Sequence, residues 1–359
     1  MSKFNKVVFI AYSIGESSTN DYFTAVIDEW KDKGWKVVIF TDKGENSYSE
    51  DLTILRWPSK RPTRLKDAIF LFKQLNRYNP SVVIANFSSV NLMTVISMLV
   101  SVPIRIAWIR TLSTQLDSSS QWKLKRKSLV YKCATDIFVN SNAMLEDARK
   151  VYNISTHKMH IIPNAVKLPD ISFTEKNEKQ LVYVGRLHWS KGVDILIKAM
   201  SRSNLIYQSW KLYIIGGGEE EKKLRQLIEE LGLNNNVELI GKVSKKEVLE
   251  YFKKSQFSVV PSIEEAFGYT VIESMSVGTP VIGSNTGGIK DIISDNIDGL
   301  LFESKNIESL ASKMDIMAMD ESLRKKLGNN AHKKIQEEYE VKSVAAFLVD
   351  TILSHPKLI

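Results

Sequence analysis

Short apolar runs separated by helical patterns recur along the chain in two series, and that alternation most constrains its fold. The first series lies at 7–11, 37–41, 81–85, 105–109 and 136–140; the second lies at 180–184, 211–215, 237–240, 257–260 and 280–282. Strands alternating with helices build parallel α/β sheets. Residues 163–179, between the series, are polar and have the low apolar content of a linker. A chain of 359 residues also exceeds what one core usually serves. The expected fold is therefore α/β, with two Rossmann-like domains facing each other across a cleft. Ligands of open α/β sheets bind beyond the carboxyl ends of the strands, so the cleft is the expected site.

Two carboxylates, Glu265 and Glu273, flank a Gly-centred turn, Ala266-Phe267-Gly268. An apolar segment follows and stops at Gly278-Thr279-Pro280, which places a helix start near Tyr269 and Thr270. Glu265 then falls on the loop and Glu273 in the first helical turn. Free N–H groups at such a start attract anions, and carboxylates accept hydrogen bonds from hydroxyls. A ligand carrying both phosphate and sugar fits that pairing. The same residues also spell a capping box, Thr270-x-x-Glu273. The sequence leaves both readings open, with Glu265 then simply solvated.

The run at 180–184 leads directly into Gly185-Arg186-Leu187-His188-Trp189-Ser190-Lys191-Gly192. Two cations five residues apart, between glycines at a strand end, form a candidate phosphate clamp: Arg grips oxygens bidentately and Lys adds a movable point charge. The next strand ends in Gly216-Gly217-Gly218, but Glu219-Glu220-Glu221 follow. Three carboxylates at a helix start disfavour a diphosphate there. Those glycines suit close packing or the approach of a sugar or base. The diphosphate is expected at Gly268-Tyr269-Thr270, facing Arg186 and Lys191.

With 43% hydrophobic and 25% charged residues the chain is ordinary globular material, and its single cysteine, Cys133, excludes an internal disulfide and agrees with a reducing, cytoplasmic setting. The run at 7–11 is too short for a signal-peptide core, and the apolar region at 92–109 is broken by Pro103 and Arg105, so no membrane span is expected. No HExxH, Cys/His cluster or Asp-x-Asp is present, so a metal is not expected and no cofactor is implied. A leaving diphosphate would then be neutralised by Arg186, Lys191 and backbone N–H groups. A Walker-type loop is also missing, which argues against NTP hydrolysis.

Lys and Arg number 49 against 41 for Asp and Glu, a net charge of +8, and the excess is uneven. Between Arg56 and Arg77 there are seven basic residues and one acid, Asp67; from Trp122 to Lys132 there are five and none. The two stretches, with Trp57, Trp122 and Tyr131 nearby, are expected to make one basic face toward an anionic partner such as a membrane surface, against the alternative of solvated helix faces. Nucleic acid would account for the charge but not for Glu265 and Glu273.

The motifs Gly185-Arg186-Leu187…Lys191-Gly192, Gly216 to Gly218, Ile240-Gly241-Lys242-Val243, and Glu265-x7-Glu273 within EEAFGYTVIESMSVGTPVIGSNTGG resemble those of glycosyltransferase family 4. The resemblance is strong over 161–302 and weaker before it. It implies a retaining, metal-independent GT-B enzyme, with an acceptor domain at 1–165, a donor domain at 175–339, and a last segment, 340–359, packing back on the first. It also implies that Arg186 and Lys191 bind the donor diphosphate, that Glu273 holds the ribose, and that Glu265 lies against the transferred sugar. Gly185, Gly216 and Gly217 would line the donor. The backbone of Ala266, Phe267 and Gly268, with Tyr269 and Thr270, would meet sugar and phosphate, and Lys242-Val243 would frame the base.

Three features depart from that pattern. Gly15, after the first strand, is a single glycine followed by Glu16 where the family usually has a pair. Arg110 stands where the family has a His beside the sugar; it can donate to sugar hydroxyls but stays protonated. Asn86-Phe87-Ser88 lacks the usual His residues. The implied function is transfer of a hexose-type sugar, from a nucleotide diphosphate sugar such as a UDP-sugar, to a glycan or lipid-linked glycan in envelope polysaccharide synthesis, at the inner face of a membrane. The alternatives are a soluble small-molecule acceptor, a nucleotide-sugar epimerase, and an inactive nucleotide-sugar binder.

Overall fold

A computed structural model describes residues 4–15, 17–60, 62–115, 121–169 and 179–358. Glu16 and Arg61, with residues 170–178 of the expected linker, lie outside the described residues. The chain divides into two compact units, Met1–Asn164 with Val341–Ile359, and Ala165–Glu340.

The first unit carries strands β1 (Val7–Ala11), β2 (Lys36–Thr41), β3 (Ser47–Tyr48), β4 (Leu52–Arg56), β5 (Val82–Ala85), β6 (Ile104–Trp108), β7 (Asp136–Val139) and β8 (Met159–Ile161). They form one sheet in the order β3-β4-β2-β1-β5-β6-β7-β8, parallel throughout except that β3 runs antiparallel to β4. Strand order turns back between β1 and β5, both wholly buried, and that reversal opens a crevice at their carboxyl ends. The central runs were legible as strands because burial on both faces leaves them continuously apolar. β3, β4 and β8 were not, because they lie near the sheet edges and are short or only alternately buried.

Five helices belong to these crossovers: α1 (Ser18–Asp32), α2 (Leu65–Tyr78), α3 (Val90–Leu99), α4 (Gln121–Lys132) and α5 (Asn142–Tyr152). α3 packs against both α2 and α4, so the two basic stretches do not make one uninterrupted face; α3 lies between them with Met98 and Leu99 exposed. Trp57 and Tyr131 are buried at 6% exposure each, which removes them from that surface, whereas Trp122 is 68% exposed beneath a cation–π contact from Arg126. No helix among the described residues is long and apolar enough to cross a membrane.

The second unit carries β9 (Gln180–Val184), β10 (Lys211–Ile215), β11 (Val237–Gly241), β12 (Phe257–Val260), β13 (Val281–Ser284) and β14 (Leu300–Phe302), all parallel, in the order β11-β10-β9-β12-β13-β14. Its helices are α6 (Val193–Arg202), α7 (Glu221–Glu230), α8 (Lys245–Lys254), α9 (Tyr269–Ser276), α10 (Ile289–Ile292), α11 (Ile307–Met319) and α12 (Glu321–Glu338). Here the strand order reverses between β9 and β12. Ala165 and Val166, inside the stretch expected to be linker, are buried, and Val166 bridges to Glu340. Apolar contact with Phe267, Val271 and Ile335 fixes this segment, which polar composition around it concealed.

The last helix, α13 (Val341–Leu353), belongs to the first unit and packs on α1, burying Val344, Leu348, Val349 and Ile352. Lys33 pairs with Asp350 at 3.1 Å on the rim of that contact. Leu348 is fully buried. Its truncation in Leu348→Ala should cost about 2–5 kcal/mol through lost burial and the cavity left behind. Urea unfolding followed by circular dichroism will show it as a lower midpoint, and an unchanged midpoint would mean that α13 contributes no core.

Candidate active site

The site grows from the β9/β12 reversal. Because these strands are neighbours, the loops leaving their carboxyl ends emerge side by side: one carries Gly185 to Gly192, the other Pro261 to Gly268. Backbone bonds join them, since the N–H groups of Ile263 and Glu264 both donate to the Ser190 carbonyl, at 2.8 and 3.2 Å. The result is a direct ion pair between loops 74 residues apart in sequence: Lys191 Nζ lies 2.6 Å from Glu265 Oε2. Both side chains are largely buried, at 15% and 16% exposure, so the pair is only weakly screened.

Two further residues, not singled out in the sequence, complete this cluster. The Ser262 hydroxyl donates to Glu265 Oε2 at 3.3 Å, and the Tyr183 hydroxyl donates to the Arg186 carbonyl at 3.0 Å. Burial pushes the Tyr183 phenol well above its usual range, the Glu265 charge raises it further, and the Arg186 guanidinium opposes. Tyr183 therefore lies close enough to sense both charges, which brings Arg186, Lys191 and Glu265 into one neighbourhood. The Arg186 side chain is exposed and is in no ion pair among the described residues. Tyr183 was hidden in the sequence because it sits in an apolar strand; its only signal is its place two residues before Gly185.

α9 starts in the same place. Its N-cap is Gly268, in a left-handed conformation at φ +117°, and no side chain caps it. The first N–H bonds of the helix, from Val271 and Ile272, run to the Gly268 carbonyl at 3.0 and 3.4 Å. Thr270 is the second helical residue, and its hydroxyl donates to the Val184 carbonyl at the end of β9, at 3.3 Å. That geometry overturns the capping-box reading, for Thr270 is not the cap. It also moves Glu273 beyond the first turn, to the fifth helical position. Spaced three residues from Thr270 and four from Tyr269, half-buried Glu273 shares their side of the helix.

Phe267 and Ala266 are buried, and the Phe267 ring packs with Val271, Ile289 and Ile292. Only their backbone can face a ligand. The glycine turn after β10 packs tightly against the loop after β9. Gly216 has φ +138°, and a Cβ there would lie 1.8 Å from the Gly185 carbonyl oxygen. Lys242 lays its side chain over Gly217, and half-buried Val243 follows at the end of β11. The carboxylates after these glycines are engaged locally: Glu219 faces His188, Glu220 pairs with Lys223 and Glu221 with Arg225. α7 itself begins only at Glu221.

Two predicted site residues belong to the first unit. The Gly15 N–H donates to the Asn20 side chain at 3.3 Å, at the entry to α1. Arg110 hydrogen-bonds the Asn164 side-chain oxygen, which also accepts from Asn140 at 3.0 Å. Its guanidinium lies over Trp108 at 4.6 Å, Phe87 at 5.4 Å and Phe23 at 5.6 Å. These contacts of Arg110 all lie within its own unit. Among the described residues there is no group of three or more His, Cys, Asp or Glu side chains able to hold a metal ion.

Comparison with known proteins agrees with this geometry. Residues 167–334 match the model of glycosyl transferases group 1, and residues 20–168 match that of glycosyltransferase family 4. The chain belongs to this glycosyltransferase family. An uncharacterised glycosyltransferase of Methanocaldococcus jannaschii is 30% identical over 220 residues, 57% of this chain and 56% of that one. A Campylobacter jejuni enzyme, N-acetylgalactosamine-N,N'-diacetylbacillosaminyl-diphospho-undecaprenol 4-alpha-N-acetylgalactosaminyltransferase, is 31% identical over 221 residues, 60% and 59% of the two chains. The chain spans about half the length of the first curated relatives it matches. Among solved structures, Anabaena HepE in complex with UDP-glucose superposes with a TM-score of 0.79 over 97% of this chain and all of that one, at 16% identity. That likeness establishes the two-domain GT-B fold.

The glycine contact gives a direct check. Gly216→Ala forces the Gly185 loop to move, because a carbonyl oxygen cannot yield to a methyl group at that distance and φ. The thermal stabilisation by UDP should fall at least several-fold in this variant. If the variant keeps wild-type nucleotide affinity, the Gly185 and Gly216 loops do not form the donor site.

Proposed function

We propose that this protein transfers a hexose-type sugar from a nucleotide diphosphate sugar, a UDP-sugar foremost, to a glycan or lipid-linked glycan with retention of configuration. The carrying observation is the Lys191–Glu265 pair beside Arg186 and the uncapped start of α9. In this reading Arg186, Lys191 and the N–H groups of Gly268 and its neighbours hold the diphosphate. Glu273 takes the ribose hydroxyls from its place on α9, and the backbone at Lys242 and Val243 borders the base. Glu265, fixed by Lys191 and Ser262, accepts hydrogen bonds from the transferred sugar.

The chemistry follows from charge. As the sugar–phosphate bond breaks, negative charge grows on the leaving diphosphate, where pre-placed cations and N–H groups are worth most. Glu265 is committed to an ammonium at 2.6 Å, which makes it a poor nucleophile. Attack of the acceptor hydroxyl on the face of departure, with its proton passing to the leaving phosphate oxygen, suits that arrangement. The UDP-glucose in the HepE structure and the diphospho-undecaprenol in the Campylobacter enzyme's name support the donor and acceptor classes. A cytoplasmic enzyme assembling envelope polysaccharide at the inner membrane face is the setting this implies.

We also propose that the first unit docks on an anionic bilayer. Leu65, Ile69 and Phe72, at helical spacing on α2, are exposed by 77%, 49% and 50%, with Lys66, Lys73 and Arg77 beside them. On α4, Trp122 and Leu129 are 68% and 63% exposed among Lys123, Lys125 and Arg126. Apolar side chains that enter an interface, rimmed by cations that pair with lipid phosphate, are the pattern of peripheral attachment.

Two measurements test these readings. Arg186→Ala and Lys191→Ala should each lower kcat for transfer by roughly 10²–10³-fold, about 2.7–4 kcal/mol, as expected for a group that stabilises developing charge; Glu273→Gln should instead raise the donor KM at similar kcat. Wild-type turnover at saturating donor in either cation variant would remove the clamp. In the second measurement, phosphatidylglycerol vesicles should capture the protein at low salt and release it near half-molar salt, and charge reversal at Lys123, Lys125 and Arg126 should abolish capture. Failure to sediment with anionic vesicles at low salt would refute the membrane reading.

A further inference from the structure

Lys191 is the last residue of a short 3₁₀ turn, Trp189–Lys191, and that turn begins on His188. The Lys191 N–H donates to the His188 carbonyl at 2.9 Å. The His188 side chain caps the same turn: the Ser190 N–H donates to its Nδ1 at 3.2 Å, and the Ser190 hydroxyl lies 2.8 Å from that nitrogen. A backbone N–H can only donate, so Nδ1 carries the ring's lone pair and the proton sits on Nε2. Nε2 faces the Glu219 carboxylate at 3.5 Å. Ser, Thr, Asn and Asp are the usual residues at a helical N-cap. Their oxygens keep an acceptor through neutral pH, whereas an imidazole loses its own on protonation.

The turn is held tightly from its other sides. Ser190 is 3% exposed, and its carbonyl accepts the Ile263 and Glu264 N–H groups of the loop after β12. Gly192 closes the turn at φ +63°, where a Cβ would lie 2.2 Å from the Pro261 carbonyl oxygen. The turn therefore sets where Lys191 leaves the backbone on its way to Glu265. The charged groups on the surrounding elements are Arg186 and Lys191 on the same loop, Glu219, Glu220 and Lys223 after β10, Asp194 on α6, and Glu264 and Glu265 after β12. Among the described residues, Glu219 is the one in ion-pair range of the ring.

From this we infer that His188 is a positioning residue for the donor diphosphate: its neutral imidazole caps the turn that presents Lys191, and protonation of the ring releases that turn. This role rests on the transferase reading for its ligand, and on the hydrogen bonds of His188 for its sign. Imidazolium has two N–H donors and no acceptor, so the Ser190 N–H loses its partner as pH falls. The cap is intact in the basic part of histidine's usual titration range and lost in the acidic part. A histidine acting as a cation toward the diphosphate would give the opposite sign, with tighter binding in acid.

The test compares UDP affinity, read from thermal stabilisation of the full chain, in the wild type, His188→Asn and His188→Gln at about pH 8 and about pH 5.5, either side of histidine's usual titration. Asparagine puts an acceptor oxygen where Nδ1 stands and does not titrate. Glutamine reaches the Nε2 position, so it can still face Glu219 but leaves Ser190 uncapped. At the higher pH the Asn variant should match the wild type, and the Gln variant should bind UDP roughly five-fold more weakly, the size of a lost cap. At the lower pH the wild type should fall roughly five-fold relative to the Asn variant, for the same reason. A terminal phosphate titrates in this range too, but alike for all three proteins, so the ratio removes it. A ratio that stays flat or moves the other way, or wild-type affinity in His188→Gln at the higher pH, overturns the inference. So does a lower unliganded Tm in His188→Gln with UDP affinity unchanged, the mark of a merely structural cap. No stabilisation of the wild-type protein by UDP at either pH would overturn the donor reading itself, and the role of His188 with it.

Discussion

The adjacency of β9 and β12 is the constraint on which the donor half depends. Two strands far apart in sequence become hydrogen-bonded neighbours, and the loops that follow them have no choice but to meet. Everything proposed for the donor follows from that meeting: the Lys191–Glu265 pair at 2.6 Å, the Ser190 carbonyl gathering two N–H groups of the opposite loop, and the Thr270 hydroxyl tying the start of α9 to the end of β9. A largely buried ion pair is no strong source of stability, since desolvation offsets its attraction. Its value here is positional. It holds a cation and a carboxylate in fixed relation where a sugar diphosphate would place opposite demands on each.

The same construction recurs in the first unit, where β1 and β5 meet and another crevice opens. The loops after β9 and β12 carry an exposed Arg186, in no ion pair among the described residues, and a helix start that no side chain caps. The β1/β5 crevice is lined by Asp42 and Lys60 together with Tyr12, Trp57 and Phe87. In the same unit Arg110 packs on Phe87 and Trp108 and hydrogen-bonds Asn164.

Some expectations from sequence were met closely and others were not. β1, β9, β10 and β12 coincide with their apolar runs, because doubly covered parallel strands are continuously apolar. The turn at Gly268 and the helix after it were legible from Gly and Pro punctuation. Glu273, in contrast, moved past the first turn, and the capping box dissolved, because Gly268 rather than Thr270 became the cap. Basic residues between Arg56 and Arg77 and from Trp122 to Lys132 were visible as charge, but the exposed stripe Leu65, Ile69 and Phe72 was not. A helical apolar stripe looks the same in sequence whether it faces core or solvent.

What the sequence determined alone was the local chemistry: which runs become strands, where helices stop, which residue types can hold a diphosphate, and membership in a family whose motifs are short and ordered. Those properties rest on interactions within a few residues, so order and spacing suffice to specify them. Tertiary structure decided the rest. It joined Lys191 to Glu265, brought Tyr183 within reach of both charges, buried Trp57 and Tyr131, and set Arg110 against Phe87 and Trp108. Each of these depends on which strands become neighbours and on what covers a given face, and such long-range pairings are set by the packing of the whole chain.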